Sequence, residues 1–141
     1  MSRIYWDTML FIYWIEEHPE YSARVGELHE TMMGRGDTLC TSVFTAGEIL
    51  TGMYKRGAAQ QAAEIRNFFR SPNVEMLPFT LETADYYGRI RAQHRVSPAD
   101  AMHLATAAQA GVNLFLTHDH RLKKLTIHGI DFIAGMDVNV L

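Results

Sequence analysis

Apolar positions along the chain follow two alternating rhythms: short β-branched or aromatic runs, and longer stretches in which they recur every three or four residues. The run at residues 3–7, "RIYWD", predicts a buried strand, and from Thr8 to about His18 the pattern lengthens into a helix stopped near Pro19. Val25, Leu28, Met32 and Met33 recur at helical spacing within 21–33, and the turn "GRGD" ends that helix. "TLCTSV" predicts a second strand, "FTAGEILTGMYKRG" a helix closed by Gly57, and "AAQQAAEIRNFFR" another helix ended by "SPN". "VEMLPF" is a third strand on this pattern. Helical periodicity returns in "TLETADYYGRIRAQH" and in "SPADAMHLATAAQAG", the latter with clear start and stop signals, before a fourth strand at "NLFLTH". A short helix "DHRLKKL" and a last strand "IDFI" follow.

Strands separated by helices, each strand apolar enough to be covered on both faces, point to an α/β fold. The expected architecture is a three-layer α/β/α sandwich with a parallel sheet of four to five strands. No internal repeat, low-complexity tract or linker interrupts the 141 residues, so residues 1–141 are expected to form a single domain.

Composition narrows the function classes. Hydrophobic residues at 48% and charged residues at 21% describe an ordinary soluble globular chain. The single cysteine, Cys40, excludes an internal disulfide and suits a reducing cytoplasm. The apolar run from Ile4 to Ile15 is too short to span a bilayer and carries Asp7 inside it, so neither a membrane segment nor an export segment is expected. A formal net charge of −3 excludes a surface that attracts nucleic acid everywhere, and leaves room for a local contact. Net acidity also fits carboxylates gathered to hold divalent cations, whose charge the sequence does not count.

Asp7 raises the sharpest question, because a lone buried carboxylate costs several kcal/mol unless it is paired or reaches an edge. It closes the first expected strand. In open parallel sheets the carboxyl ends of the strands form the ligand crevice, where an acid faces a ligand instead of the core. Asp119 follows the fourth strand in the same way, Asp100 lies in the first turn of the helix begun by Ser97 and Pro98, and Glu48 lies early in the helix after the second strand. Four such oxygen donors suit a hard cation, Mg²⁺ or Mn²⁺, which lowers the pKa of a bound water and offsets charge on a phosphate. Each acid also has a structural alternative. Asp7 and Asp119 suit helix N-caps, "SPAD" fits a capping box at Asp100, and Glu48 suits a solvated helix face.

Taken together, "IYWDTMLFI", "TSVFTAGEILTG" with Ser42 six residues ahead of Glu48, "SPADAMHLATAA" and "LFLTHDHRL" resemble the PIN domain, and most closely the VapC-type toxins of toxin–antitoxin systems. The resemblance covers almost the whole chain. It implies a metal-dependent endoribonuclease with Asp7, Glu48, Asp100 and Asp119 as its catalytic, metal-binding acids. It implies Thr117, and also Thr8 or Ser42, as hydroxyls that orient those acids or their waters. The first and fourth strands would then be neighbours in the sheet. A cognate antitoxin and a homodimer are further implications. Met9 departs from the small polar residue that many relatives carry two positions after the first acid.

Basic residues bunch at Lys55 and Arg56, around Arg95, and at Arg121 and Lys123, and these are the candidate RNA-phosphate contacts. His118 and His120 flank Asp119 in a basic loop, where histidine more often meets solvent or phosphate than a metal. His103 stands three residues after Asp100 on the same helix face, with a structural role the commoner outcome. The alternative to a nuclease is a catalytically silent PIN-like module that binds RNA or protein. A phosphatase of the haloacid-dehalogenase kind would need a second acid where Met9 stands.

Overall fold

Twelve elements make up residues 1–139, the part of the chain described by the computed structural model. The first half runs β1 (Arg3–Trp6), α1 (Thr8–Ile15), α2 (Ser22–Arg35), β2 (Thr38–Ser42), α3 (Val43–Lys55) and α4 (Ala59–Arg70). The second half runs β3 (Glu75–Leu77), α5 (Leu81–Gln93), α6 (Pro98–Ala110), β4 (Leu114–Leu116), α7 (His120–Lys123) and β5 (Phe132–Ala134). The five strands form one parallel sheet in the order β3-β2-β1-β4-β5. As expected, β1 and β4 lie side by side, with Ile4 opposite Leu114 and Trp6 opposite Leu116.

Alternation along the central strands divides the interior into two layers. Ile4 and Trp6 of β1, Leu39 of β2, and Leu114 and Leu116 of β4 point to one face, where Leu10, Phe11, Val25, Leu28, Ile49 and Phe69 cover them from α1 to α4. Tyr5, Cys40 and Phe115 point to the other face, covered by Ile90 of α5 and by Ala101, Leu104 and Ala108 of α6. Tyr5 and Phe115 stack across the β1–β4 pair with centroids 4.9 Å apart and planes 6° apart, a contact worth about 0.5–1.5 kcal/mol beyond its buried area. This choice of face matters for the site, because it aims Tyr5 at α6. Cys40 is a free, buried thiol.

Several ends differ from the sequence expectation for local reasons. α1 stops at Ile15 instead of near His18, because the residue before Pro19 is driven out of the helical region and Glu17 turns to φ 52°. β1 stops at Trp6, and Asp7, in extended backbone, caps α1 instead of ending the strand. β4 is shorter than "NLFLTH" because Thr117 and Asp119 spend their side chains on turn and cap bonds. Gly129, at φ +100°, brings the turn before β5 so close to α6 that a Cβ would lie 2.5 Å from the Ala108 carbonyl oxygen, so only glycine fits. Among the described residues no helix is long and apolar enough to cross a membrane.

Candidate active site

Both Asp7 and Thr117 stand one step past paired strands, and this places their side chains at the carboxyl edge of the sheet. Asp7 N–H continues the β1–β4 ladder by donating to Leu116 O at 3.0 Å. One oxygen of its carboxylate accepts from Thr8 N–H at 2.8 Å, closing the N-cap of α1, and the other accepts from the Thr117 hydroxyl at 2.9 Å. The same Thr117 oxygen accepts from Asp119 N–H at 3.1 Å, so one buried hydroxyl ties the loop after β4 to Asp7. Each Asp7 oxygen retains capacity for a further partner.

Glu48 approaches from α3. Its Oε1 accepts from the Thr8 hydroxyl at 2.6 Å and lies 2.7 Å from His103 Nε2. Burial pushes the Glu48 carboxyl up, but the bonds from His103 and Thr8 together carry it below its ordinary range. His103, on α6, is only 2% exposed, and its Nδ1 lies 2.7 Å from the Tyr5 hydroxyl. Burial raises the Tyr5 phenol well above its usual pKa, so Tyr5 keeps its proton and donates it to Nδ1. That bond assigns the other ring proton to Nε2, where it faces Glu48, with Asp7 Oδ1 3.6 Å away. The result is a chain, Tyr5–His103–Glu48, that runs from a buried phenol and imidazole to a half-buried carboxylate at the cleft.

Asp100 enters from the first turn of α6, whose N-cap Ser97 accepts from Asp100 N–H at 3.1 Å. Its carboxyl is pushed above the ordinary range, first by burial and then by the charges of Asp7 and Asp119, against the pull of the Ser97 hydroxyl. Asp119 caps α7 and is gripped by Arg121, with Nη2 at 2.8 Å, Nε at 3.2 Å and the backbone N–H at 2.9 Å. Those bonds from Arg121 hold the Asp119 carboxyl below its usual range.

All four acids line one open cleft of about 750 Å³, together with Thr8, Met9, Tyr13, His103, His118 and Arg121. Asp7 and Asp119 both cap helices while lining the cleft; each Asp7 oxygen keeps capacity for a further partner, whereas both Asp119 oxygens are held by Arg121. Ser42 is not in the cleft. It caps α3 through Thr45 N–H at 3.0 Å, and its hydroxyl lies behind the site, within reach of the Tyr5 hydroxyl and of Thr45, whose own hydroxyl is 3.5 Å from His103 Nδ1. Lys55, Arg56 and Arg95 do not line it either. Lys55 lies about 10 Å further along α3 than Glu48, at 1.5 Å per residue, and Arg56 pairs with Glu16 at 3.4 Å. Arg121 does line the cleft, and Lys123 borders the cavity beside it.

Sequence reasoning missed Tyr5 as a site residue and gave His103 only its spacing from Asp100. The signal for Tyr5 lay in strand alternation combined with the neighbouring position of β1 and β4.

As for a divalent cation, the donor chemistry fits: four carboxylates from four elements on one cleft, with Asp100 raised in part by uncompensated like charge. Among the described residues, no group of three or more His, Cys, Asp or Glu side chains is arranged as a finished ion site. Glu48 is turned onto His103 and Asp119 onto Arg121.

A family model described as "PIN domain" matches residues 4–127. Among solved structures, the chain is similar to VapBC2 from Rickettsia felis bound to a DNA fragment from its promoter. That match has 18% identity and a TM-score of 0.76, covering 94% of this chain and 98% of that one. It is also similar to DNA-bound VapBC from Salmonella typhimurium, with 26% identity, a TM-score of 0.74, and 96% and 99% of the two chains covered. Mycobacterium tuberculosis VapC20, a sarcin–ricin loop cleaving toxin, matches at 16% identity and a TM-score of 0.64, over 79% and 86% of the two chains. No curated protein matches.

Proposed function

Because the chain belongs to the PIN domain family, we propose that it is a Mg²⁺- or Mn²⁺-dependent endoribonuclease, the toxin of a toxin–antitoxin pair, acting on RNA in the cytoplasm. The observation that carries this reading is the meeting of Asp7, Glu48, Asp100 and Asp119, from four separate elements, on one cleft at the carboxyl edge of a parallel sheet. No serine, cysteine or free lysine accompanies them as a nucleophile among the residues lining that cleft.

A divalent cation held by these acids would supply an activated water and offset charge on the phosphate. The chain's own residues do the positioning. Thr8 N–H and the Thr117 hydroxyl fix both Asp7 oxygens, and Tyr5 acts through His103 to fix Glu48 by Oε1. Among the described residues Glu48 Oε2 has no hydrogen-bond partner, which leaves it for the cleft. Asp100, raised first by burial and then by its neighbours' charge, gains most from a cation there. Arg121 stands at the rim, placed to meet an RNA phosphate once it releases Asp119.

The reading includes a cognate antitoxin that covers the cleft, in keeping with the VapBC complexes among the similar structures, and a homodimeric toxin. A silent RNA- or protein-binding module is the second reading, favoured by the grip of Arg121 on Asp119. Incubation of the purified chain with labelled RNA separates the two. Cleavage in Mg²⁺ or Mn²⁺ that is absent in chelator, and lost in a folded Asp7→Asn variant, is expected. Undiminished cleavage in chelator, or none with either metal, overturns the enzyme reading.

A further inference from the structure

Beside the acid cleft lies a second cavity of about 380 Å³, bordered by Tyr21, Arg24, His118, His120, Lys123 and Met136, with Asp137 also in its wall. His118 and His120 border both hollows, so the two adjoin at the loop that carries Asp119. The shared wall is aromatic. Tyr21 and His118 meet edge to face with centroids 4.5 Å apart, Tyr13 lies 4.9 Å from Tyr21 and 5.4 Å from His118, and His18 stacks on Tyr21 at 4.9 Å.

We propose that this ring cluster and its cavity form a subsite that stacks an unpaired nucleobase of the RNA strand whose backbone lies in the acid cleft. The inference rests on the ribonuclease reading and deepens it.

Three features support a ligand role. First, none of the four rings is fully buried, unlike Trp6, Phe11 and Phe115 of the core, so the cluster keeps open surface at the mouth of a cavity. Second, the rings are held in place by their own polar atoms. The Tyr13 hydroxyl lies 2.6 Å from His118 Nδ1, and His18 Nδ1 accepts from the backbone N–H groups of Glu20 and Tyr21 at 3.1 and 3.2 Å. Burial raises the Tyr13 phenol, with help from Tyr21 and Glu20, so it remains a neutral donor to His118. Flat rings fixed before binding stack a base with little loss of freedom.

Third, the charges divide the labour. Arg24 donates to the carbonyl oxygens of Met136 and Val138 at 2.6 and 2.7 Å, so its guanidinium builds the cavity wall. Lys123 borders the cavity as a cation for the neighbouring phosphate, and the exposed Asp137 disfavours a second phosphate on its own side. A π-face flanked by one cation and adjoining a phosphate-cleaving cleft suits single-stranded RNA, whose bases splay onto aromatic side chains. The volume lies at the small end of ligand pockets, the size for a base rather than a folded partner.

The test is fluorescence anisotropy with a short fluorescein-labelled single-stranded RNA, in chelator so that nothing is cut, with one abasic site moved along the strand. The unaltered chain should lose about five- to ten-fold in affinity when the abasic site falls at one position, and little elsewhere. Tyr21→Leu, which keeps apolar bulk without a π-face, should lose a similar factor on intact RNA and no longer sense the missing base. Tyr21→Phe should retain both. Near-ultraviolet circular dichroism checks that the variants fold, and the scan on the unaltered chain needs no variant. RNA binding that is indifferent to every abasic position overturns the subsite and leaves the ribonuclease reading standing. So does a Tyr21→Leu chain that binds RNA normally but loses a protein partner. Absence of any RNA binding overturns both.

Discussion

His103→Leu isolates the chain from Tyr5 to Glu48. The imidazole is 2% exposed, and leucine fills most of its volume, so the loss should come from hydrogen bonds rather than from a cavity. Two short bonds disappear, along with longer contacts to Thr8 at 3.2 Å and Thr45 at 3.5 Å. The Tyr5 hydroxyl, fully buried, loses its acceptor at 2.7 Å, and an unsatisfied buried donor costs about 1–3 kcal/mol. The Ser42, Thr45 and Thr41 hydroxyls also lie within reach of the Tyr5 hydroxyl and offset part of this loss, which keeps it near the lower end of that range. Glu48 loses an N–H donor at 2.7 Å, and a bond to a charged group contributes about 1.5–3 kcal/mol. The half-buried Glu48 recovers part of this from water, which sets the expected total near 3 kcal/mol. Urea unfolding in chelator measures it as a shift of the midpoint at constant slope. His103→Gln, which restores an amide donor toward Glu48 but not the imidazole acceptor of Tyr5, should recover roughly half. A loss below about 1 kcal/mol for His103→Leu, or no difference between leucine and glutamine, would refute the reasoning.

Arg121→Ala removes the cation that holds Asp119, so Mn²⁺ should bind several-fold tighter by calorimetry, and unchanged or weaker binding would show that Arg121 does not compete with the metal. Asp100→Asn should abolish cutting yet stabilise the metal-free chain near neutral pH by less than about 1 kcal/mol, since the site is open to solvent. The sign follows from the raised carboxyl: the stability it contributes is full below the unfolded-state pKa and is lost as pH rises through its higher folded-state value. Glu48 and Asp119 act oppositely, with stability present above the ordinary carboxylate range and lost as pH falls through their lowered values. Thermal unfolding across pH in chelator should therefore show Asp100→Asn gaining most on the neutral side, and a gain confined to acid contradicts the assignment. Gly129→Ala should cost about 2–4 kcal/mol in thermal or urea unfolding, because a Cβ meets the Ala108 carbonyl at a positive φ, and a neutral result would mean that the turn before β5 yields freely.

Much of this architecture was legible in the chain. The alternation of short apolar runs with helical spacing located every strand and helix to within a few residues. The adjacency of β1 and β4 followed from the family resemblance rather than from periodicity. Placement of the acids just past strand ends or early in helices put them on one edge, as the cleft shows. What the sequence hid depends on three-dimensional facing. Tyr5 meets His103 because alternation in β1 turns it toward α6, a relation between residues separated by most of the chain. The aromatic wall was likewise scattered over α1, the turn after it, and the loop after β4, so Tyr13 and Tyr21 carried no signal in the sequence and His118 suggested solvent or phosphate. Lys55, Arg56 and Arg95 lie away from the cleft, because charge bunching in sequence does not specify which end of a helix meets the site.

The central claim is that the four acids act together on a hard cation, and anomalous scattering from a crystal soaked in Mn²⁺ tests it most directly. An ion at about 2.0–2.2 Å from carboxylate oxygens of Asp7 and of at least one among Glu48, Asp100 and Asp119, with Arg121 swung away from Asp119, is the predicted result. A cleft that holds no manganese at saturating concentration, or manganese bound only elsewhere on the chain, would contradict it.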